Sequence, residues 1–504
     1  MLPPSLESAL LEAHKLIARP LLRAALVTGL ANCLPAYAQT EVQKLNGVVE
    51  QLLKRMEQLE AANKRLQGEV DRLSGAKPAA EAATQRAAQG APAEPAAPAG
   101  NAQAQAEGGR QSSKLEQALD GVSVGASLAM VSQRALRGQT QDSRNQLNYR
   151  ADVEVEVPLA KVADVGDSKL FFHLRAGQGE GLAFVHPTLS ATPNSTAFSL
   201  QNGDDAAPIV AQAWYQLSHP LATGASGAQP SLQATIGKID SFGFFDQNEI
   251  ADSETDAFLN NVFVHNPLLD SGGAIGADRY GFQPGVIASY LSDAAQKNHW
   301  KASIGVFASG AGAGFGSSFH KPFVIGQLGY SGEALLERPG NYRLYAWTNG
   351  SVAPYNNEFA SSLGRTTGIG LSIDQKVADD LIVFTRVGHA FSGDVRFDNA
   401  LTLGAQLAGH RWGRDDDRVG LALGWLNTSS GFRATAATLD ADGDGVPDFG
   451  YRPTGAEKNV ELYYAWRVND NVQISPNLQW IGRPGGDRNA QAIRALGLRA
   501  VAGF

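Results

Sequence analysis

The chain has 504 residues, of which 43% are hydrophobic and only 18% charged, with 55 glycines and a formal net charge of −8. An acidic balance without a basic face argues against nucleic acid as a partner. The single cysteine, Cys33, lies in a segment read below as removed, so the mature chain would carry no thiol, which excludes disulfides, thiolate metal sites and a cysteine nucleophile.

Residues 1–38 read as a secretory signal peptide. Lys15, Arg19 and Arg23 form the positive n-region, Ala24 to Leu34 the apolar h-region, and Ala36-Tyr37-Ala38 the cleavage pattern, so the mature start is expected at Gln39. Glu7 and Glu12 are unusual in an n-region. Leu30-Ala31-Asn32-Cys33 is similar to a bacterial lipidation site, but Asn32 stands where a small residue is needed. The apolar core is too short to span ~30 Å of hydrocarbon, and no later stretch approaches ~20 consecutive apolar residues.

Residues 39–74 predict a periplasmic coiled coil. Leu45, Leu52, Leu59, Leu66 and Leu73 fall seven apart, and Val42, Val49, Met56, Asn63 and Val70 precede each by three, which fills the a and d positions of a heptad. A lone helix would leave that leucine seam wet, so the segment implies a homo-oligomer through residues 40–74. Valine at a with leucine at d leans toward a parallel dimer, while a trimeric barrel would impose its own symmetry. Residues 75–114 turn to Ala, Pro, Gln and Gly, too poor in apolar side chains to offset ordering entropy, and read as a disordered linker.

From 115 to 504 the hydrophobic period falls to two. Val122 to Met130, Leu147 to Val157, Leu170 to Arg175, Val460 to Val468 and Val472 to Trp480 all alternate apolar with polar or small residues. Such strands put one face in an apolar medium and the other in water. Roughly 390 residues at about 24 per strand and connection give about 16 strands, within the range of bacterial barrels. The expected fold is therefore all-β: a transmembrane antiparallel β-barrel of about 16 strands behind a signal peptide, a coiled-coil helix and a disordered linker. On the last strand Leu496, Leu498, Ala500, Ala502 and terminal Phe504 share one face. An aromatic C-terminus there is similar to the insertion signal read by the barrel-assembly machinery, and closure removes the strand edges that lipid cannot satisfy.

Two segments resemble the carbohydrate-selective porin family, the OprB type. One is Gly237-Lys238-Ile239-Asp240 with Phe244-Phe245-Asp246-Gln247-Asn248 and Phe258-Leu259-Asn260-Asn261. The other is Glu461-Leu462-Tyr463-Tyr464 running through Pro476-Asn477-Leu478-Gln479-Trp480 to Pro484-Gly485-Gly486-Asp487. The resemblance implies a 16-stranded channel in the cell outer membrane, set in lipid, for sugar diffusion. The coiled coil is similar in plan to the extension of sucrose-specific porins, which are trimers, so a trimer is favoured over a dimer.

A passive pore must replace part of a solute's hydration without trapping it. Gln212, Trp214 and Gln216 share one face of the strand Ile209–Leu217 and are assigned to the lumen, with Trp214 as a candidate stacking surface for sugar rings. Asp246, Glu249, Asp252, Glu254 and Asp256 crowd a stretch without Lys or Arg. Part of residues 241–277 is expected to fold inward as a constriction that disfavours anions, with Lys238 and Asp240 at its entrance; the alternative is a solvated external loop. Parity places Arg150, Arg175, Arg343, Arg386 and Arg467 on the opposing wall.

Asp440, Asp442, Asp444 and Gly445 resemble the first half of a Ca²⁺ loop, with Asp448 as a further ligand, but Tyr451 occupies the twelfth position and excludes a complete EF-hand. A calcium-stabilised extracellular loop and plain surface charge both stay open; no cofactor is required. The nine histidines show no metal-ligand spacing and no Ser-His-acid set assembles, so catalysis is not expected. The leading reading is a porin for carbohydrates or other small hydrophilic solutes. A pore for cations or iron species and a mainly structural envelope tether are the alternatives.

Overall fold

Alternating residues become strands because a pleated backbone turns successive side chains to opposite faces. In the computed structural model, residues 121–503 are described apart from 139–144, 163–164, 191–192, 199–207, 224–228, 294, 311–312 and 314–316. The expected signal peptide, coiled coil and linker lie outside the described residues, as does Phe504.

The strands are β1 (Ser123–Arg137), β2 (Asn145–Val162), β3 (Gly166–Gln178), β4 (Ile209–Pro220), β5 (Ser231–Ile239), β6 (Gln283–Leu291), β7 (His299–Phe307) and β8 (Phe323–Leu335). They continue with β9 (Arg338–Val352), β10 (Gly364–Ala378), β11 (Leu381–Ser392), β12 (Phe397–Ala408), β13 (Arg418–Thr428), β14 (Ala456–Asn469), β15 (Val472–Gly482) and β16 (Ile493–Gly503). Each pairs with its sequence neighbours, and β1 pairs antiparallel with β16, so the sheet closes into a barrel. Even the nine-residue strands β5, β6 and β7 reach about 30 Å at ~3.3 Å per residue, enough to cross a bilayer core.

The distribution of side chains is inside-out for a water-soluble protein. Leu128, Leu174, Ile236, Leu344, Leu421, Leu462 and Leu498 are exposed on the outer face, whereas Arg150, Gln327, Ser372, Arg386, Thr402, Glu461 and Arg499 are buried on the inner one. Burying apolar area contributes about 25 cal/mol per Å², so this exterior calls for hydrocarbon. Where inner-face glycines leave gaps, cross-strand aromatics fill them: Tyr345 lies opposite Gly370 and Tyr463 opposite Gly420.

The two rims differ. At one, 336–337, 379–380 and 470–471 are two-residue turns; at the other, 179–208, 240–282 and 429–455 are long. Trp300, Tyr330 and Tyr342 cluster near the first of those turns, with ring centroids 4.8 and 6.0 Å apart, and Trp412 lies 6.2 Å from Tyr464. Such amphipathic rings suit the water–lipid boundary. Among the described residues no helix is long and apolar enough to cross a membrane, which says nothing of crossing by strands.

Candidate functional site

The segment 240–282 does not stand outside the barrel. It folds inward, because it is amphipathic and the barrel wall offers it an apolar seat. Phe245, Phe258, Val262, Phe263 and Leu268 are buried in one cluster with Phe307, Phe323, Phe384, Leu426 and Tyr463 of the strands. Asp240 caps a short turn by accepting from the Phe242 amide (3.0 Å), and Asn260 caps α1 (Asn261–Val264) by accepting from the Val262 amide (3.0 Å). The wall is flattened by glycine where the loop comes close: a Cβ on Gly424 would lie 2.8 Å from Val262 Cγ1, and one on Gly388 2.7 Å from Asn266 Oδ1.

The acidic residues face the arginines of distant strands. Glu254 pairs with Arg150 of β2 (2.6 Å), and Asp256 with Arg418 of β13 (2.5 Å). Arg499 of β16 donates to the Glu254 and Ala257 carbonyls (2.8 and 2.9 Å). Glu461 of β14 accepts the Leu259 and Asn260 amides (2.6 and 2.8 Å). Against burial, which would raise it, Arg150 and Arg175 hold the Glu254 carboxyl down at about 2. The stretch itself holds no Lys or Arg; its cationic partners come from strands far along the chain.

Asp246 and Arg386 differ from their expected roles. Asp246 is fully buried, accepting from Tyr345 Oη (2.6 Å), Arg386 Nε (3.0 Å) and the Asn266 amide (2.5 Å), so it anchors the loop rather than facing solute. Arg386 lies fully buried beneath the loop rather than on an open wall. Arg175 and Arg343 are mostly buried in ion pairs with Asp152 (2.6 Å) and Asp374 (2.8 Å). Arg467 is half-buried on β14, its amide bonded to Asp417 (2.9 Å).

Glu249 is exposed. Asp252 lies 3.5 Å from His265, whose ring stacks on Phe242 at 3.8 Å. Burial pushes the Asp252 carboxyl up to about 6 despite His265. Burial pulls the His265 imidazole down, but Asp252, Asp270 and Asp240 outweigh it and raise it to about 9. Lys238, at the end of β5, is tied to the Val210 carbonyl (3.0 Å) and to Asp278 (3.4 Å).

On β4, Gln212 accepts from the Asp240 amide (3.1 Å), Trp214 donates to Gln212 (3.2 Å) and Gln216 donates to Thr235 (2.9 Å). Trp214 stacks on Phe171 at 4.8 Å with Phe244 edge-on at 5.7 Å. The residue is 9% exposed. That leaves it no free face for a sugar, contrary to the expected stacking surface.

A second inward loop was not anticipated. In segment 179–208 the described stretches, 179–190 and 193–198, are held by Glu457 of β14, which accepts the Leu189 and Ser190 amides (2.7 and 3.1 Å). It meets the first loop where the Ser195 amide donates to the Leu259 carbonyl (2.8 Å). Nothing in its Ser, Thr, Asn and Pro composition marks it as an inward loop, because its ties to Glu457 and to the Leu259 carbonyl are long-range.

In the loop 429–455, carboxylate oxygens of Asp440, Asp442 and Asp444 converge within 4.8 Å of one another. Asp448 is directed elsewhere, accepting from the Ala441 amide (2.9 Å) and Asn357 (2.7 Å). The set with Asp448 as fourth ligand is not assembled; three hard oxygen donors are.

A closed sixteen-strand barrel with an apolar exterior and inward-folded loops matches one family of proteins in sequence as well. Residues 144–504 match the carbohydrate-selective porin, OprB family. The chain belongs to that family. Its members are outer-membrane porins. The porin fold is similar to OprB of Pseudomonas putida solved at high pH, with a TM-score of 0.58 and 17% identity over 77% of this chain and 96% of that one. The outer membrane channel DcaP of Acinetobacter baumannii is more distant, with a TM-score of 0.44 and 11% identity over 76% of this chain and 97% of that one. An uncharacterised Nostoc protein is 27% identical over 175 residues, 33% of this chain and 26% of that protein. The match thus spans about a quarter of that curated relative's length.

Proposed function

We propose that the chain is a porin through which small hydrophilic solutes, carbohydrates foremost, diffuse passively across the outer membrane. The observation that carries this reading is the pairing of an apolar exterior with an interior of hydrogen-bonding groups narrowed by the loop 240–282. Arginine–carboxylate pairs such as Arg150–Glu254 and Arg418–Asp256 offer donors and acceptors with little net field, which suits neutral polyhydroxyl solutes. Asp240, Glu249, Asp252, Glu254 and Asp256 with Gln212 and Gln216 are the proposed pore-lining or constriction residues.

Liposome swelling with neutral sugars of graded size tests the reading. Flux that falls with sugar size supports it, and liposomes that exclude even monosaccharides sink it. A cation-selective pore is the second reading, favoured by Glu249, which is exposed and makes no ion pair among the described residues. A reversal potential showing strong cation preference, lost in the Asp252→Ala, Glu254→Ala double variant, would favour it.

The periplasm is the proposed side for the rim of short turns, where β1 begins and β16 ends, which puts the coiled coil of residues 39–74 in the periplasm. A homo-trimer through residues 40–74, with a dimer as the alternative, is tested by the native size of detergent-extracted protein with and without that segment. Recognition of Phe504 by the barrel-assembly machinery is proposed on the same footing. So is Ca²⁺ at Asp440, Asp442 and Asp444, where added Ca²⁺ should protect 429–455 from protease.

A further inference from the structure

We propose that Arg386 is the positioning residue that sets the channel's bore, because one guanidinium on β11 grips the inward loop at both ends of its acidic turn. This rests on the porin reading above. The side chain is fully buried and serves four acceptors. Its Nε reaches Asp246 Oδ1 (3.0 Å), Nη2 the Asp246 carbonyl (2.9 Å), and Nη1 the carbonyls of Ala251 (2.6 Å) and Phe263 (3.1 Å). Asp252 stands 3.7 Å from Nη2.

The gripped points Asp246 and Ala251 bracket Glu249, which is exposed. Asp246 itself adopts φ 58, a left-handed conformation that a non-glycine residue keeps only when its surroundings impose it. The surroundings are Tyr345, Asn266 and Gln327, the last accepting the Asp246 amide at 2.9 Å. Beyond residue 253 the loop has its own ties, to Arg150, Arg499, Glu461 and Arg418. Gln247 and Asn248 keep bonds to Ser372 and Ile373 of β10 (3.1 to 3.3 Å), so loss of Arg386 loosens residues 249–253 while 254–260 stay fixed, and the bore widens beside Glu249. A planar five-donor fork can satisfy these acceptors together, whereas an ammonium cannot.

The test uses full-length protein reconstituted in planar bilayers and liposomes. Arg386→Ala is expected to raise single-channel conductance roughly two-fold, since the loop fills the narrowest section. It should also raise the ratio of trisaccharide to monosaccharide swelling rates, with Arg386→Lys falling between it and wild type. A role in stability alone would lower the thermal midpoint and leave conductance and sugar ratio as in wild type; that outcome overturns the clamp. Should Arg386→Ala not fold, Arg386→Lys decides by the same readouts. A wild-type barrel that carries no current overturns the porin reading and the clamp together, while a conducting wild type with unaltered variants overturns the clamp alone.

Discussion

Leu498 sits at the centre of β16, opposite Pro476 of β15 and Ser132 of β1, with its side chain half exposed. Replacing it with arginine puts a charge against hydrocarbon and should cost about 2–4 kcal/mol near the bilayer midplane. Arginine at exposed Glu249, in the wet interior, should cost within about 0.5 kcal/mol. Unfolding in lipid by urea, followed through the heat-modifiable band, measures both. Gly424→Val tests the seat of the loop. Its Cβ would meet Val262 Cγ1 at 2.8 Å, an overpacking worth about 1–3 kcal/mol, and protease should cut 240–282 faster while the strands survive. The parity of individual side chains was readable because period two is a local rule: Leu462, Trp466 and Val468 face outward while Glu461, Tyr463 and Ala465 face inward. The partner of a buried charge was not readable. Nothing near Asp246 in sequence points to Arg386, and nothing near Leu189 to Glu457.

At the scale of elements, the constriction loop carries its own titration. Asp252 ionises at about 6 and His265 loses its proton at about 9. Each step adds one negative unit to the loop, so cation preference should rise through pH 6 and again through pH 9. Reversal potentials measured across that range check it, and Asp252→Asn should remove the lower step. Stability runs the opposite way. His265, whose pKa is raised on folding, stabilises the loop fully below its unfolded value of about 6.5, and that contribution is lost as pH climbs through 9. Amphipathic phenylalanines and a dense acidic stretch made this loop's inward fold legible. The loop 179–208 lacks such a pattern, and its hydrogen bonds to Glu457 and the Leu259 carbonyl join residues far apart in sequence.

For the molecule as a whole, about 16 strands followed from chain length and turn spacing, and sixteen close through β1 and β16. The count was legible because a strand must span a fixed thickness. The free volume inside was not, since it depends on how two loops from 179–208 and 240–282 meet. Both depend on the polarity of the wall being reversed. Single cysteines introduced for Cys33→Ser protein in lipid vesicles measure that reversal directly. Cysteines at Leu421, Leu462 and Leu498 should resist a membrane-impermeant maleimide and react with a lipid-phase probe, while those at Glu154 and Glu249 should do the opposite. Rapid labelling of the leucine positions from water, with the glutamate positions shielded, would mean that the leucine face is not in lipid and that no wet channel runs through the barrel.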